Sequence, residues 1–213
     1  MSLFSQQDLH DIEAAVQAAE KKSSGEIVPY FVDASADYPE VFWKLLTYLN
    51  STWTVAALAW FEYGNYWYDL GILEVILIGL TIGVLSTLLL VRIPFVIRLL
   101  ADRDSVDRAV TSRAAEAFLS EEVFRTRDRS GILIFISELE HRVLIVGDSG
   151  INAKVKAGTW DSLVTDLIAS IRQKKAAAGL IAAIDQCGTV LKEAGVTRRD
   201  DDTDELGNTL RKG

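Results

Sequence analysis

The sequence predicts an α/β protein with two transmembrane helices inserted into the α/β domain. Three observations predict this fold class. Helical and strand patterns alternate at both ends of the chain. The strands are apolar almost throughout, as in sheets that helices cover on both faces. The apolar residues between positions 43 and 91 form one concentrated block with few charges.

Composition narrows the possible functions. The chain has 213 residues, with 30 Asp and Glu against 22 Lys and Arg, and one cysteine. The net charge of −8 is unlike that of a nucleic-acid-binding protein, which normally carries a basic patch. A single cysteine excludes a disulfide scaffold and a cysteine-rich zinc site.

The N-terminal segment predicts one helix and one strand. Ser5 is a suitable helix cap, and an apolar stripe runs from Leu9 to Ala19. Residues 26–33 then predict a strand. Because Pro29 lacks an N–H, this strand should lie at an edge or pair on one side only at that point.

The apolar block predicts a transmembrane hairpin with helices at residues 43–61 and 70–91. The second segment contains 17 uncharged residues from Val75 to Val91, close to the ~20 that span a bilayer. The first segment carries one charge, Lys44, and aromatic residues gather at the helix ends. Two alternatives stand beside this interpretation: buried helices of a soluble domain, or a first helix that is re-entrant or lies in the membrane plane because of polar residues such as Asn50.

The flanking charges predict an orientation. The connector between the two segments has no Lys or Arg, whereas Lys44 precedes the pair and Arg92, Arg98 and Arg103 follow it. The positive-inside rule therefore places both flanks in the cytoplasm. Residues 1–40 contain no signal-like segment. We expect a multi-pass protein of the bacterial inner membrane, with the soluble domain on the cytoplasmic side.

The C-terminal half predicts a helix, a strand hairpin and two further helices. The helix covers residues 102–124, and strands at residues 131–137 and 142–147 are joined by a short turn. Helices follow from Thr159 and from Ala176, with Cys187 on an apolar stripe as a small buried residue. The predicted domains are residues 1–40 with 93–196, the hairpin at 41–92, and a disordered acidic tail at 197–213.

The tetrapeptide Gly147-Asp148-Ser149-Gly150 invites a serine-protease interpretation, which its context contradicts. That chemistry needs a histidine base beside the serine. His141 lies at the far end of the preceding strand, about 20 Å away at ~3.3 Å per residue. The alternative nucleophile elbow requires glycine at the position that Ile151 occupies.

The same turn is a candidate site for a cation and an anion. If the strands form one sheet, their ends gather three carboxylates and a cluster of anion-binding groups. The candidate metal ligands are Glu26, Asp128 and Asp148, and the candidate phosphate ligands are Arg127, Ser149 and Gly150. The cofactor would be a divalent cation, Ca²⁺ or Mg²⁺; the alternative is a surface ion-pair cluster. A second acidic set, Asp33, Glu138 and Glu140, is expected in a solvated turn.

Three segments resemble the TPM-domain family, which includes plant thylakoid-lumen and photosystem II repair proteins. They are GEIVPYFVD, the run from AAEAFLSEEVF to GTWDSLVTDL, and GLIAAIDQCGTVL. The resemblance implies a three-layer α/β/α sandwich around a small mixed sheet. It also implies either the phosphatase activity associated with plant members or the divalent-metal binding of some bacterial ones. The family's turn after the strand is often Gly-x-Gly-like, and this chain departs from it at residues 147–150.

Two functional hypotheses follow. The first is a membrane-anchored accessory module that assembles or maintains a membrane-protein complex, with the lipid bilayer and a membrane protein as partners and no nucleic acid. The second is a divalent-metal-dependent phosphatase, in which Glu26, Asp128 and Asp148 surround the metal and Arg127 binds the phosphate.

Overall fold

The computed structural model describes residues 4–63, 71–196 and 206–213. The chain forms two compact units, Met1–Ser35 with Asp107–Gly213, and Ala36–Val106. The inserted unit therefore extends beyond the predicted hairpin at both ends. Residues 64–69 of the expected connector and residue 70, the predicted start of the second helix, lie outside the described residues.

The described elements follow the predicted alternation of helices and strands. In chain order they are α1 (Gln6–Glu20), β1 (Ile27–Val32), α2 (Pro39–Tyr63), α3 (Ile72–Leu90), α4 (Pro94–Leu100), α5 (Arg103–Ser120), a 3-10 turn (Val123–Arg125), β2 (Ile132–Ser137), β3 (Arg142–Gly147), α6 (Ser149–Asn152), α7 (Thr159–Arg172), α8 (Ala176–Glu193) and β4 (Arg211–Lys212).

The four strands form a small mixed sheet in the order β3-β2-β1-β4. Strand β1 runs parallel to β2 with Ile27 opposite Ile132, and β3 runs antiparallel to β2. The predicted parallel crossover and strand hairpin are both confirmed. Pro29 pairs on the β2 side, whereas β4 pairs only with Tyr30 and Phe31, so the missing N–H of Pro29 leaves no gap in that ladder.

Strand β4 differs from the expected disordered tail. Residues 197–205 lie outside the described residues, but residues 206–213 return to the sheet. Lys212 Nζ lies 3.2 Å from an oxygen of Asp33, and Arg211 forms an ion pair with Glu121. The amide of Gly213 donates to the carbonyl oxygen of Phe31 at 3.1 Å. A two-residue strand has no periodicity for sequence analysis to detect.

One face of the sheet packs against α1, α7 and α8. Ile27, Ile132 and Ile134 on the strands belong to the same buried cluster as the helical core residues. Helix α8 lies between α1 and α7 and buries the stripe that includes Leu180, Ile184, Cys187 and Leu191. The prediction that Cys187 is a buried core residue is confirmed. Burial raises the pKa of its thiol to about 12.

The opposite face of the sheet is also buried. Val28, Leu133 and Phe135 are fully enclosed, although alternation along the strands points them away from the first cluster. Helix α5 buries Val110, Ala114 and Ala117. Its Asp107 pairs with Arg142 at the start of β3, and Glu121, the residue just after its end, pairs with Arg211 on β4. These pairs link α5 to both edge strands, which favours helices on both faces of the sheet.

Helices α2 and α3 pack antiparallel within the inserted unit. The Trp53 indole N–H donates to the carbonyl oxygen of Val75 at 3.1 Å, while Asn50 lies against Gly83. Of the helices in the described ranges, only α3 is long and apolar enough to cross a membrane, with a mean hydropathy of 2.4. The described structure therefore has one candidate span, α3, where the sequence predicts two.

The start of α1 gives a pH-dependent prediction. Ser5 and Asp8 form a capping box, in which hydrogen bonds from the Ser5 amide and hydroxyl lower the pKa of Asp8 below its usual 3.8. The stabilising contribution is present above the unfolded-state pKa and is lost as pH falls through the lowered value. We expect an NMR titration to show this depressed pKa, and the Ser5→Ala variant to bring it nearer to normal. An unchanged Asp8 titration in that variant would contradict the prediction.

Candidate functional site

Three strand ends meet at one edge of the sheet. The amide of Ile132 donates to the carbonyl oxygen of Glu26 at 2.8 Å. The amide of Asp148 donates to the carbonyl oxygen of Gly131, also at 2.8 Å. Gly131 therefore stands between Glu26 and Asp148, and the two acidic residues, which are both buried, lie at the same edge.

The two carboxylate oxygens of Asp148 differ in their contacts. Its Oδ1 accepts the amide hydrogen of Ser149 at 2.6 Å and the hydroxyl hydrogen of the same residue at 3.2 Å. Its Oδ2 is buried without a hydrogen bond and lies 3.6 Å from Arg129 Nη1. Asp148 therefore caps the short helix α6, and Arg129 compensates its buried charge.

The loop before β2 packs on this turn through its backbone. Ser130 donates its amide hydrogen to Thr126 Oγ1 at 3.0 Å, and its hydroxyl to the carbonyl oxygen of Ser24 at 3.2 Å. Position 150 requires glycine, because a Cβ there would lie 2.7 Å from the carbonyl oxygen of Arg129. The glycine thus permits a close backbone approach. The amide of Ser149, expected to bind an anion, already donates to Asp148.

The candidate cation ligands differ in burial. Arg127 and Asp128 are exposed on the loop, whereas Glu26 and Asp148 are buried. Within the described ranges, no three His, Cys, Asp or Glu side chains are grouped so as to hold a metal ion. The Asp148 carboxylate already accepts hydrogen bonds from Ser149 and faces Arg129, and both contacts would compete with a cation.

A second polar network lies at the opposite edge of the sheet, beyond the ends of β1 and β2. The Ser137 hydroxyl donates to the Glu140 carboxylate, and the Ser35 amide donates to Glu140 Oε1 at 2.9 Å. The hydroxyl oxygens of Ser35 and Ser137 are 2.8 Å apart. Glu140 is only 6% exposed, contrary to the solvated turn that the sequence predicts. Its carboxylate holds the chain that leaves β1 against the turn between β2 and β3.

The sequence does not predict this second network because Ser35 is far in the chain from Ser137 and Glu140. Ser35 and Glu140 are 105 positions apart, and neither belongs to a motif. The strand register supplies the only signal: Val32 lies opposite Ser137, so residues just after Val32 approach the turn at Glu140. That register becomes visible once β1 and β2 are paired.

Substitutions at Asp148 test its role as a cap. We expect Asp148→Ala to lower the free energy of unfolding by about 1 kcal/mol, because the Ser149 amide loses its acceptor. Asp148→Asn keeps an oxygen for that amide and should lose less. Chemical unfolding of the full chain in detergent micelles measures both variants, with Ser149→Ala as the control for the hydroxyl contact. Equal losses in the Ala and Asn variants would contradict the capping role.

Comparison with known proteins agrees with the resemblance in the sequence. Residues 95–190 match the family model of the TPM domain. The NMR structure of the BA42 protein from the psychrophilic bacterium Bizionia argentinensis superposes with a TM-score of 0.60. That match covers 100% of this chain and 97% of the other at 20% identity. No curated protein matches the chain. Residues 95–190 are therefore similar to the TPM domain, and the chain shares its fold with BA42.

Proposed function

We propose that this protein is anchored in a bacterial inner membrane by α2 and α3, and that its α/β unit is a binding module for a membrane-protein complex. The exposed apolar surface of α3 carries the proposal. Its 19 residues span about 28 Å at 1.5 Å per residue, close to the thickness of a bilayer core. Leu73 and Leu89, near its two ends, are 72% and 70% exposed.

An aqueous environment does not suit this surface. Large apolar residues of α3 face outward along its whole length, and only 17% of its most apolar window is buried within the chain. Soluble monomers rarely expose a contiguous apolar patch of this extent. The residues with exposed large apolar side chains are Ile72, Leu73, Leu77, Ile78, Leu80, Ile82, Val84, Leu85, Leu88 and Leu89.

The polar side chains of α2 are compatible with a second crossing. Asn50 Nδ2 donates to the carbonyl oxygen of Leu46 at 2.7 Å, and the Thr54 hydroxyl donates to the carbonyl oxygen of Asn50 at 2.8 Å. These bonds satisfy the Asn50 amide nitrogen and the Thr54 hydroxyl within their own helix, which lowers the cost of placing those two groups in lipid, whereas Asn50 Oδ1 is buried without a hydrogen bond. Val55 and Trp60 of α2 also face outward. We therefore propose the two-helix hairpin, with Lys44 and Arg92 at its cytoplasmic end.

The α/β unit favours binding over catalysis. Its buried carboxylates at Asp148 and Glu140 accept hydrogen bonds from neighbouring backbone amides, so their role is to hold loops. The phosphatase hypothesis requires Glu26, Asp128 and Asp148 to share a cation, and the local bonds of Asp148 count against it. If Mg²⁺ or Ca²⁺ raised the melting temperature of the full chain, and Asp148→Asn abolished that rise, the phosphatase hypothesis would be favoured over the binding module.

Membrane extraction tests the anchor. We expect the full chain to remain with bacterial membranes in alkaline carbonate and to be released by detergent. The variant Leu77→Arg with Leu85→Arg should lose this behaviour, because an arginine at the middle of a span costs about 3 kcal/mol. Leu119→Arg is the matched control, since Leu119 is 63% exposed on α5 in the other unit. Release of the unaltered chain by carbonate would overturn the proposal.

Two further measurements test orientation and role. Cysteine at Glu62 should react with an impermeant reagent on intact cells, whereas cysteine at Arg129 should not; the opposite pattern would reverse the orientation.

For the binding role, we expect a membrane protein to copurify in mild detergent with the full chain. It should be lost when Phe135→Asp disrupts the buried sheet face. Recovery of no partner would count against the binding module.

A further inference from the structure

Helix α4, which follows the candidate membrane helix, has an unusual surface. It covers Pro94–Leu100 and contains no buried residue. Phe95 and Leu99 lie four positions apart, hence on one face, and are 63% and 68% exposed. The preceding residue Ile93 is 43% exposed. A seven-residue helix with this much exposed apolar surface requires a covering environment.

The position of α4 indicates which environment that is. Ile93 has an extended backbone and Pro94 opens the helix, so the chain changes direction after α3. A straight continuation would place Leu100 about 15 Å beyond Leu90. Instead, Lys44 Nζ, near the start of α2, donates to the carbonyl oxygen of Leu100 at 2.9 Å. Helix α4 is therefore folded back to the level of the first turns of α2.

Markers of a membrane interface lie at the same level. Trp43, next to Lys44, is 64% exposed, and tryptophan is enriched at the boundary between headgroups and acyl chains. Arg92 and Arg103 flank α4 on its two sides and are exposed. The exposed apolar residues of α4 thus follow those at the end of α3 in the chain, and Arg92 and Arg103 lie on either side of them, Arg103 between Asp102 and Asp104. This combination of an apolar face and flanking cations is typical of helices that lie in the plane of an anionic membrane.

We propose that α4 lies in the headgroup region of the bilayer and binds anionic phospholipid. Phe95 and Leu99 contact the upper acyl chains, and Arg92 and Arg103 bind the headgroup phosphates. This inference rests on the membrane anchor proposed above and adds a lipid preference to it. The recognised chemistry is a phosphate diester with a net negative charge, presented beside acyl chains.

Fluorescence quenching in proteoliposomes tests the inference on the full chain. The liposomes contain phosphatidylcholine with about a third phosphatidylglycerol. An environment-sensitive fluorophore is attached to cysteine introduced as Leu99→Cys or, in the middle of α3, as Leu80→Cys. Cys187 does not compete for the label, because it is fully buried and its thiol pKa is raised to about 12. The quencher is a nitroxide attached to a lipid acyl chain. The shallow nitroxide lies near the headgroup and is carried by either lipid, and the deep nitroxide lies near the bilayer centre.

The expected result has two parts. The label at position 99 is quenched by the shallow nitroxide, and about twofold more strongly when phosphatidylglycerol carries it than when phosphatidylcholine does. The double variant Arg92→Gln, Arg103→Gln removes that preference. The control Lys174→Gln, Lys175→Gln, which removes two exposed charges from the other unit, retains it.

The label at position 80 separates this inference from the anchor. If the deep nitroxide fails to quench it, the anchor itself is wrong. If position 80 is quenched but position 99 is not, the anchor stands and the in-plane helix is overturned. Equal quenching of position 99 by both lipids, or a preference that survives the arginine substitutions, overturns the binding of anionic lipid.

Discussion

Replacing Gly131 with alanine is expected to destabilise the α/β unit by about 3 kcal/mol, the upper end of the usual cost of overpacking. A Cβ at this position would overlap the carbonyl oxygen of Val123 and lie 2.7 Å from its Cγ1. The carbonyl belongs to a 3-10 turn and cannot rotate away as a side chain can. Moving Gly131 would also strain its bond with the Asp148 amide and the neighbouring bond between Ile132 and Glu26.

Two glycine controls make this prediction specific. Gly207→Ala should be nearly neutral, because the nearest atom to a Cβ there is Arg211 Nη2 at 3.6 Å. Gly25→Ala should be intermediate, since its Cβ would meet the side chain of Leu191, which can move. Unfolding of the full chain in detergent micelles, followed by the circular dichroism of the α/β unit, orders the three variants. A Gly131→Ala chain as stable as the Gly207→Ala chain would contradict the account of this strand end.

The parts of the fold that were predictable from sequence are those with a repeating local signal. Strand β2 and strand β3 are apolar runs separated by a short charged segment, which suffices to predict an antiparallel hairpin. The parallel pairing of β1 with β2 follows from the intervening helices and the handedness of crossovers. Strand β4 has no such repeating signal, because it consists of two residues. Arg211 and Lys212 pair with β1 and form ion pairs with Glu121 and Asp33, which are distant in the chain.

At the candidate site, the sequence predicts which residues lie close together but not which of their atoms are already bonded. The strand pattern predicts that Glu26 and Asp148 approach one another, since it depends only on which strand ends share an edge. Whether a carboxylate oxygen remains available for a ligand depends on backbone angles that no residue pattern contains. At Asp148, the following amide turns back onto Oδ1. At Glu140, the carboxylate is bonded by the nearby Ser137 and by Ser35 from a distant segment, so a charged residue in a turn is not solvated.

In the inserted unit, the sequence predicts a membrane helix reliably only where the residues are apolar throughout. Helix α3 is apolar on every side, so its 19 residues are recognised without any knowledge of their partners. Helix α2 mixes Asn50 and Thr54 with apolar residues, and its suitability for lipid depends on hydrogen bonds to its own carbonyl groups. Those bonds are properties of the folded helix, and a hydropathy average cannot include them.

The second large effect is expected from Gly79→Ala, which should weaken the packing of α2 against α3 by about 2 kcal/mol. A Cβ at Gly79 would overlap the indole ring of Trp53. The ring must then rotate, and its N–H loses the bond to the Val75 carbonyl oxygen, currently 3.1 Å long. Alanine stabilises a helix by about 1 kcal/mol relative to glycine. A net loss of stability in Gly79→Ala therefore reports the steric conflict rather than helix propensity.

A double-mutant cycle tests whether that conflict lies between Gly79 and Trp53. Trp53→Ala alone should destabilise the pair, but in its presence Gly79→Ala should become neutral or stabilising, because the overlapping ring is gone. Gly71→Ala is the control for adding a methyl group without steric conflict, since Gly71 is the cap residue before α3 and the nearest atom to its Cβ is Glu74 Oε2 at 3.8 Å. Unfolding in mixed detergent micelles, read by energy transfer between labels on α2 and α3, gives the four free energies. Strict additivity of the two substitutions would show that the helices do not pack through these residues, and the proposed two-helix hairpin would lose its main contact.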